Sequence, residues 1–202
     1  MTTIFSGWQE QYERMLRSHK RLTDYASGQR HFSPDEDGSA EARDALIHFF
    51  QDAYHLKDWL KNDKAIGRKR ARQQIKKEVE GYVSDTLYLK ICADVANGSK
   101  HLQLDPERPP SRTGDPNTGI TGQSVTVRAA AVGSGGEPEP AIHSWEIESN
   151  GVPYDALDTA SKIVEAWDAW LGEHRLLQHM DRPPTDHNVG APSVGPRFSE
   201  RT

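Results

Sequence analysis

The sequence predicts a mainly α fold: a helical bundle of about five helices, with a small antiparallel β-hairpin or three-stranded sheet inserted before the last helix. Three observations carry this expectation. Apolar residues recur at three-to-four spacing over several long segments, as a buried helix face requires. Two short runs in the second half alternate with period two, as a half-buried strand does. The chain of 202 residues has one cysteine and no apolar run that could span a bilayer, which suits a single core. Residues 1–180 are expected to form that domain, with 105–153 as a Pro/Gly-rich loop plus the β excursion. Residues 181–202 have almost nothing to bury and read as a disordered tail.

Taken in order, Trp8, Tyr12, Met15, Leu16, Leu22 and Tyr25 predict a first helix over 8–27. Ser33 to Gly38 reads as a loop, after which Ser39 or Asp37 would cap the next helix. That second helix, 40–62, carries the broadest apolar stripe: Leu46, Phe49, Phe50, Ala53, Leu56 and Leu60. A basic amphipathic helix over 69–82 follows and ends near Gly81. Ser84 is then expected to cap a helix over 85–103 that turns Tyr88, Ile91, Cys92, Val95 and Leu102 inward. Prolines 106, 109, 110 and 116 with glycines 114, 119 and 122 make 105–122 an ordered loop or linker. The strand-like runs are 124–128 and 142–147, joined by a flexible connector around Gly133-Ser134-Gly135-Gly136. Asn150-Gly151 signals a tight turn into a third strand at Val152. Ala160, Ile163, Val164, Trp167, Trp170 and Leu171 define a last helix over about 155–179.

Several chemistries find no support. His48, Asp52 and His55 share a helix face, but no His-Glu-x-x-His pattern or further ligand set accompanies them, so no metal is expected. No Gly-x-Ser-x-Gly surrounds a serine, and Cys92 lies on an apolar face, where an inert buried thiol is expected. The Gly133–Gly136 run lacks the Gly-Lys-Ser/Thr of a phosphate loop, and no cofactor is expected.

What remains is Asp94-Val95-Ala96-Asn97-Gly98-Ser99-Lys100-His101. Asp94, Asn97 and His101 stand at i, i+3 and i+7, putting an acid, an amide and an imidazole on one helix face. Antiparallel packing would bring this group to His55 and Asp58 on the second helix. Such a set makes either a small active site or a structural hydrogen-bonding cluster.

The frame Ala96-Asn97-Gly98-Ser99-Lys100-His101 resembles the Arg-Asn-x-x-x-His signature of the HEPN superfamily, helical bundles that include metal-independent ribonucleases and noncatalytic relatives. Ala96 stands where the signature has Arg. Together with Tyr54-His55-Leu56-Lys57-Asp58-Trp59, the frame also looks like a family of uncharacterised bacterial proteins. The resemblance covers about residues 40–104 and the final helix. It implies His101 as general acid/base in attack of an RNA 2′-hydroxyl on the adjacent phosphate, with Asn97, Asp94 and Lys100 as its catalytic neighbours and His55 and Asp58 in support. Lys100 would be the cation offered in place of the missing arginine. The resemblance further implies a homodimer and a defence or toxin setting with an antitoxin or other protein partner. The alternative is a noncatalytic interaction or scaffold module in which Asp94, Asn97 and His101 are structural.

Charge distribution adds a third element. Residues 1–104 hold 17 basic and 15 acidic side chains, and 105–202 hold 8 and 15. Residues 61–77 concentrate eight Lys/Arg against one acid, Asp63. This is either a solvated helix start and loop or a patch that steers a polyanion to one face. On the second reading Lys64, Arg68, Lys69, Arg70 and Arg72 are the expected nucleic-acid contacts, with RNA the partner that the resemblance implies. With one cysteine and no basic-then-apolar leader, a cytoplasmic protein without membrane attachment is expected.

Overall fold

The computed structural model describes residues 7–29, 38–66, 69–99, 111–126 and 141–179. In chain order the elements are α1 (Trp8–Ala26), α2 (Ser39–Asn62), a 3₁₀ turn (Lys64–Ile66), α3 (Lys69–Asp85), α4 (Leu87–Gly98), β1 (Gly119–Thr126), β2 (Ile142–Ser149), β3 (Val152–Asp155), α5 (Ala156–Glu173) and a closing 3₁₀ turn (Leu177–His179). The chain is thus mainly helical, with a three-stranded antiparallel sheet ahead of the last helix.

The α2 stripe lies at the centre of the core, which α1, α3, α4, β2 and α5 complete. Leu46, Phe49, Phe50, Ala53, Leu56 and Leu60 are all fully buried, facing α1 on one side and α4 and α3 on the other. Burying each large apolar side chain contributes about 1.5–3 kcal/mol, so this one stripe outweighs any single polar contact described below. Polar ties fix the register of the helices. Asp52 accepts from Ser18 Oγ at 2.6 Å, while its carbonyl accepts from Gln11 Nε2 at 2.8 Å. Tyr12 Oη donates to Asp168 at 2.7 Å, holding α1 to α5, and Tyr82 Oη donates to the Ala166 carbonyl at 2.9 Å.

Helix ends are closed by unexpected residues. α1 is preceded by Gly7 at the N-cap, whose φ of 128° lies in the left-handed region, and its first amide, Trp8 N–H, donates to Asp63 Oδ2 at 2.8 Å. A Cβ at Gly7 would run into that carboxylate. Gly38, also left-handed at φ 64°, holds the N-cap position of α2, so Ser39 is the first helical residue rather than the cap. Ser84 does not begin the fourth helix: it is inside α3, donating to the Glu80 carbonyl at 2.9 Å. α3 therefore runs past Gly81, and the break falls at Thr86, which is extended at φ −94° and ψ 119°. α4 ends at Gly98, and the rest of the expected 85–103 helix lies outside the described residues. The last helix stops at Glu173, after which Arg175 turns left-handed at φ 56°.

The sheet has order β1-β2-β3. β2 alternates cleanly: His143, Trp145, Ile147 and Ser149 are buried against α1 and α5, while Ser144, Glu146 and Glu148 are exposed. Asn150 and Gly151, at φ 53° and 71°, form the two-residue turn to β3, with Ser149 paired to Val152. Both central residues are left-handed, as the turn that matches strand twist requires. β1 begins at Gly119, inside the segment expected to be loop, and its pairing with β2 is irregular between Ile120 and Gly122. Asp155 caps α5 by accepting from Asp158 N–H at 2.7 Å. The expected tail, the connector around Gly133, and Val127 and Arg128 of the expected first strand lie outside the described residues.

Candidate functional site

The apolar face of α4 buries Ile91, Cys92, Val95 and Ala96, and among them Asp94 is only 3 % exposed. A carboxylate there needs donors, and one segment provides them. Asp94 accepts from Ser111 Oγ at 2.6 Å, Thr113 Oγ1 at 2.7 Å, Arg112 N–H at 2.8 Å and Thr113 N–H at 2.9 Å. Charge-assisted bonds of this kind are short and strong, and these four occupy the carboxylate. Thr113 Oγ1 also lies 2.8 Å from Thr118 Oγ1, which lies 2.9 Å from Ser149 Oγ. The hydroxyl chain thereby links α4 to the sheet, and Asp115 completes the tie by accepting from Asn150 N–H at 2.7 Å.

With its backbone pinned on Asp94, Arg112 reaches the other way. Its guanidinium donates to Ser84 Oγ and to Glu80 Oε2, both at 2.8 Å, and sits 6.0 Å from the centre of the Tyr54 ring. Glu80 is shared. Its second oxygen meets Lys61 Nζ at 2.5 Å and Lys57 Nζ at 3.6 Å. Asp58 bridges the same two ammoniums at 2.8 and 2.7 Å, and Lys57 lies 4.5 Å from the Tyr54 ring centre. The i, i+3, i+4 and i+7 spacing of Tyr54, Lys57, Asp58 and Lys61 explains why α2 presents them together. Burial pushes the Glu80 carboxyl up, but hydrogen bonds from Lys61 and Arg112 and the charge of Lys57 outweigh it and hold Glu80 down at about 2. Asp58 is likewise held below the usual carboxylate range: burial opposes, and Lys57 and Lys61 prevail. Lys61 is raised in turn, against its own burial, by Asp58 and Glu80.

The expected site residues are distributed as follows. Asp94 serves the 111–113 segment. Asn97 is half-buried one turn later, and beside it Gln51 Nε2 donates to Ser99 Oγ at 3.0 Å. Ala96, at the signature arginine position, is fully buried in the core. Lys100 and His101 lie outside the described residues. His55 is half-buried on α2, and Asp58 is joined to Asp94 indirectly, through Lys57 and Lys61 to Glu80 and from there through Arg112. Of the expected nucleic-acid contacts, Lys64 is exposed on the 3₁₀ turn, Arg68 lies outside the described residues, and Lys69, Arg70 and Arg72 are on the first turn of α3. Lys76 and Lys77 further along α3 are exposed.

Sequence reasoning missed Arg112 and Glu80. The only local signal for Arg112 was its place between two hydroxyl residues in a Pro/Gly-rich stretch, which says nothing of a partner 32 residues back. Cys92 matches its expected burial: its thiol donates to the Phe50 carbonyl at 3.4 Å, and desolvation pushes its pKa up. Among the described residues, no three His, Cys, Asp or Glu are grouped to hold a metal, and no helix is long and apolar enough to cross a membrane. No family model, curated protein sequence or solved structure matches the chain.

Proposed function

We propose that this chain is a noncatalytic, HEPN-like RNA-binding module that holds the sugar–phosphate backbone on its α2–α3 edge. The observation that carries the reading is the separation of charge over the fold. Exposed Lys64, Lys76 and Lys77 stand beside the Lys57–Lys61–Arg112 network on one edge, whereas the outer face of the sheet presents Glu146, Glu148 and Asp155. A polyanion is drawn to the first surface and repelled by the second. Two features favour binding without cleavage. The Asp94 carboxylate is occupied by the 111–113 segment, and position 96 opens into the core rather than a cleft. The same reading places the protein in the cytoplasm as a homodimer, with an antitoxin or similar protein as partner in a defence system.

The test is a mobility-shift titration of labelled single-stranded RNA between about 50 and 200 mM salt, where each neutralised phosphate contributes a slope of roughly −0.7. Binding that weakens with salt, and that the K64E/K76E/K77E variant weakens uniformly across sequences, supports the reading. A flat salt dependence, or a variant that binds like the parent, overturns it. Metal-free cleavage of the RNA would instead establish the ribonuclease.

A further inference from the structure

Three cations converge on one carboxylate at the junction of α2, α3 and the 111–113 segment. Glu80 touches Lys61 and Lys57 through one oxygen and Arg112 through the other. Lys57 is 8 % exposed at its side chain, and its ammonium is fixed over Tyr54. Arg112 cannot drift, because its own backbone amide and both flanking residues are bound to Asp94. Asp58 balances one of the three positive charges. Glu80 balances a second, so the group keeps one net positive charge with Glu80 in place and two without it.

We infer that Glu80 occupies a phosphate-sized anion seat built by Lys57, Lys61 and Arg112, and that a phosphate group of a bound ligand takes its place. A phosphate carries a charge of about −1.5 to −2 at neutral pH and three acceptor oxygens, matching both the charge exposed and the number of donors released. The guanidinium fork suits two of those oxygens, and the ammoniums suit the third. The seat is reachable: the Glu80 side chain is 36 % exposed, Arg112 25 % and Lys61 20 %. Glu80 is held in the seat by its ion pairs with Lys61, Lys57 and Arg112, and these are the bonds an incoming phosphate takes over as the Glu80 side chain swings out from α3. This extends the polyanion reading to one subsite but is tested with a small anion, so a chain that fails to bind RNA can still pass, and the converse.

The experiment is isothermal titration of the full chain with inorganic pyrophosphate, for the parent, E80Q and E80Q/R112Q. Removing the competing charge while keeping side-chain size is expected to tighten pyrophosphate binding by about tenfold or more. The added R112Q change is expected to abolish that gain. An E80Q protein with native circular dichroism that binds no better than the parent overturns the inference, and so does a gain that survives R112Q. Should E80Q not fold, the parent decides: pyrophosphate must shift the amide resonances of Ser84, Arg112 and Thr113 in saturable fashion, and their staying still overturns it.

Discussion

Asp94 and Thr113, nineteen residues apart, meet through two hydrogen bonds to the same carboxylate oxygen, one from the Thr113 amide at 2.9 Å and one from its hydroxyl at 2.7 Å. That oxygen is the point where the helical bundle takes hold of the segment leading into the sheet. Substitution there tests a structural role directly. Asp94→Ala strands the amides of Arg112 and Thr113 and is expected to cost about 3 kcal/mol, lowering the melting temperature by roughly 6–12 °C. Asp94→Asn recovers only part, because its NH₂ faces donors. Thermal unfolding followed by circular dichroism reads both, and a shift under about 1 °C would refute the anchoring role.

Acid sensitivity follows from Glu80. Its carboxyl is held at about 2 in the folded chain against an ordinary value of 4.5. A depressed folded value means that the stabilisation is present above pH 4.5 and drains away as pH falls toward 2. The Glu80 side chain is 36 % exposed, so solvent screening reduces the contribution. Urea unfolding at stepped pH should show a steeper acid loss for the parent than for Glu80→Gln; identical pH profiles would contradict the assignment.

Gly7 should not tolerate a side chain. At φ 128° an L-residue is strained, and its Cβ would meet the Asp63 carboxylate that caps α1. Gly7→Ala is expected to destabilise by about 1–2 kcal/mol or more, with the loss concentrated in the first turn of α1. Hydrogen exchange at the first-turn amides locates it; unchanged protection there would count against the cap.

Pro153 guards an edge. Ser149 and Val152 form the pair next to the two-residue turn, so the following pair, Glu148 and Pro153, leaves the proline nitrogen on the free side of β3. A strand edge without a donor at that point pairs poorly with another chain. Pro153→Val is expected to raise self-association at high concentration, an increase that light scattering would detect; scattering no higher than the parent's would remove the guarding role.

The helices and the turn into β3 were legible because their signals are local. The α2 stripe repeats with the helix period, and Asn150-Gly151 accepts left-handed angles that few other pairs do. The start of β1 was not legible, since residues 121 and 123–126 are exposed and Gly119 and Gly122 offer no alternation to read. The α3–α4 break was misplaced by two residues because a serine hydroxyl caps a helix or bonds back within one, and only tertiary packing decides which. Asp94 stood out in the sequence as a polar residue on an apolar face. Its partners did not, because Ser111 and Thr113 come from a stretch whose composition says only that it turns.

The Asp63 cap on α1 gives the chain an order of completion. The group that satisfies the first amide of α1 lies 55 residues downstream, beyond the far end of α2. During synthesis α1 therefore emerges with an open first turn, which closes only after Asp63 has been made and α1 has packed on α2. The first turn of α1 is thus finished by a residue that arrives only after the whole of α2.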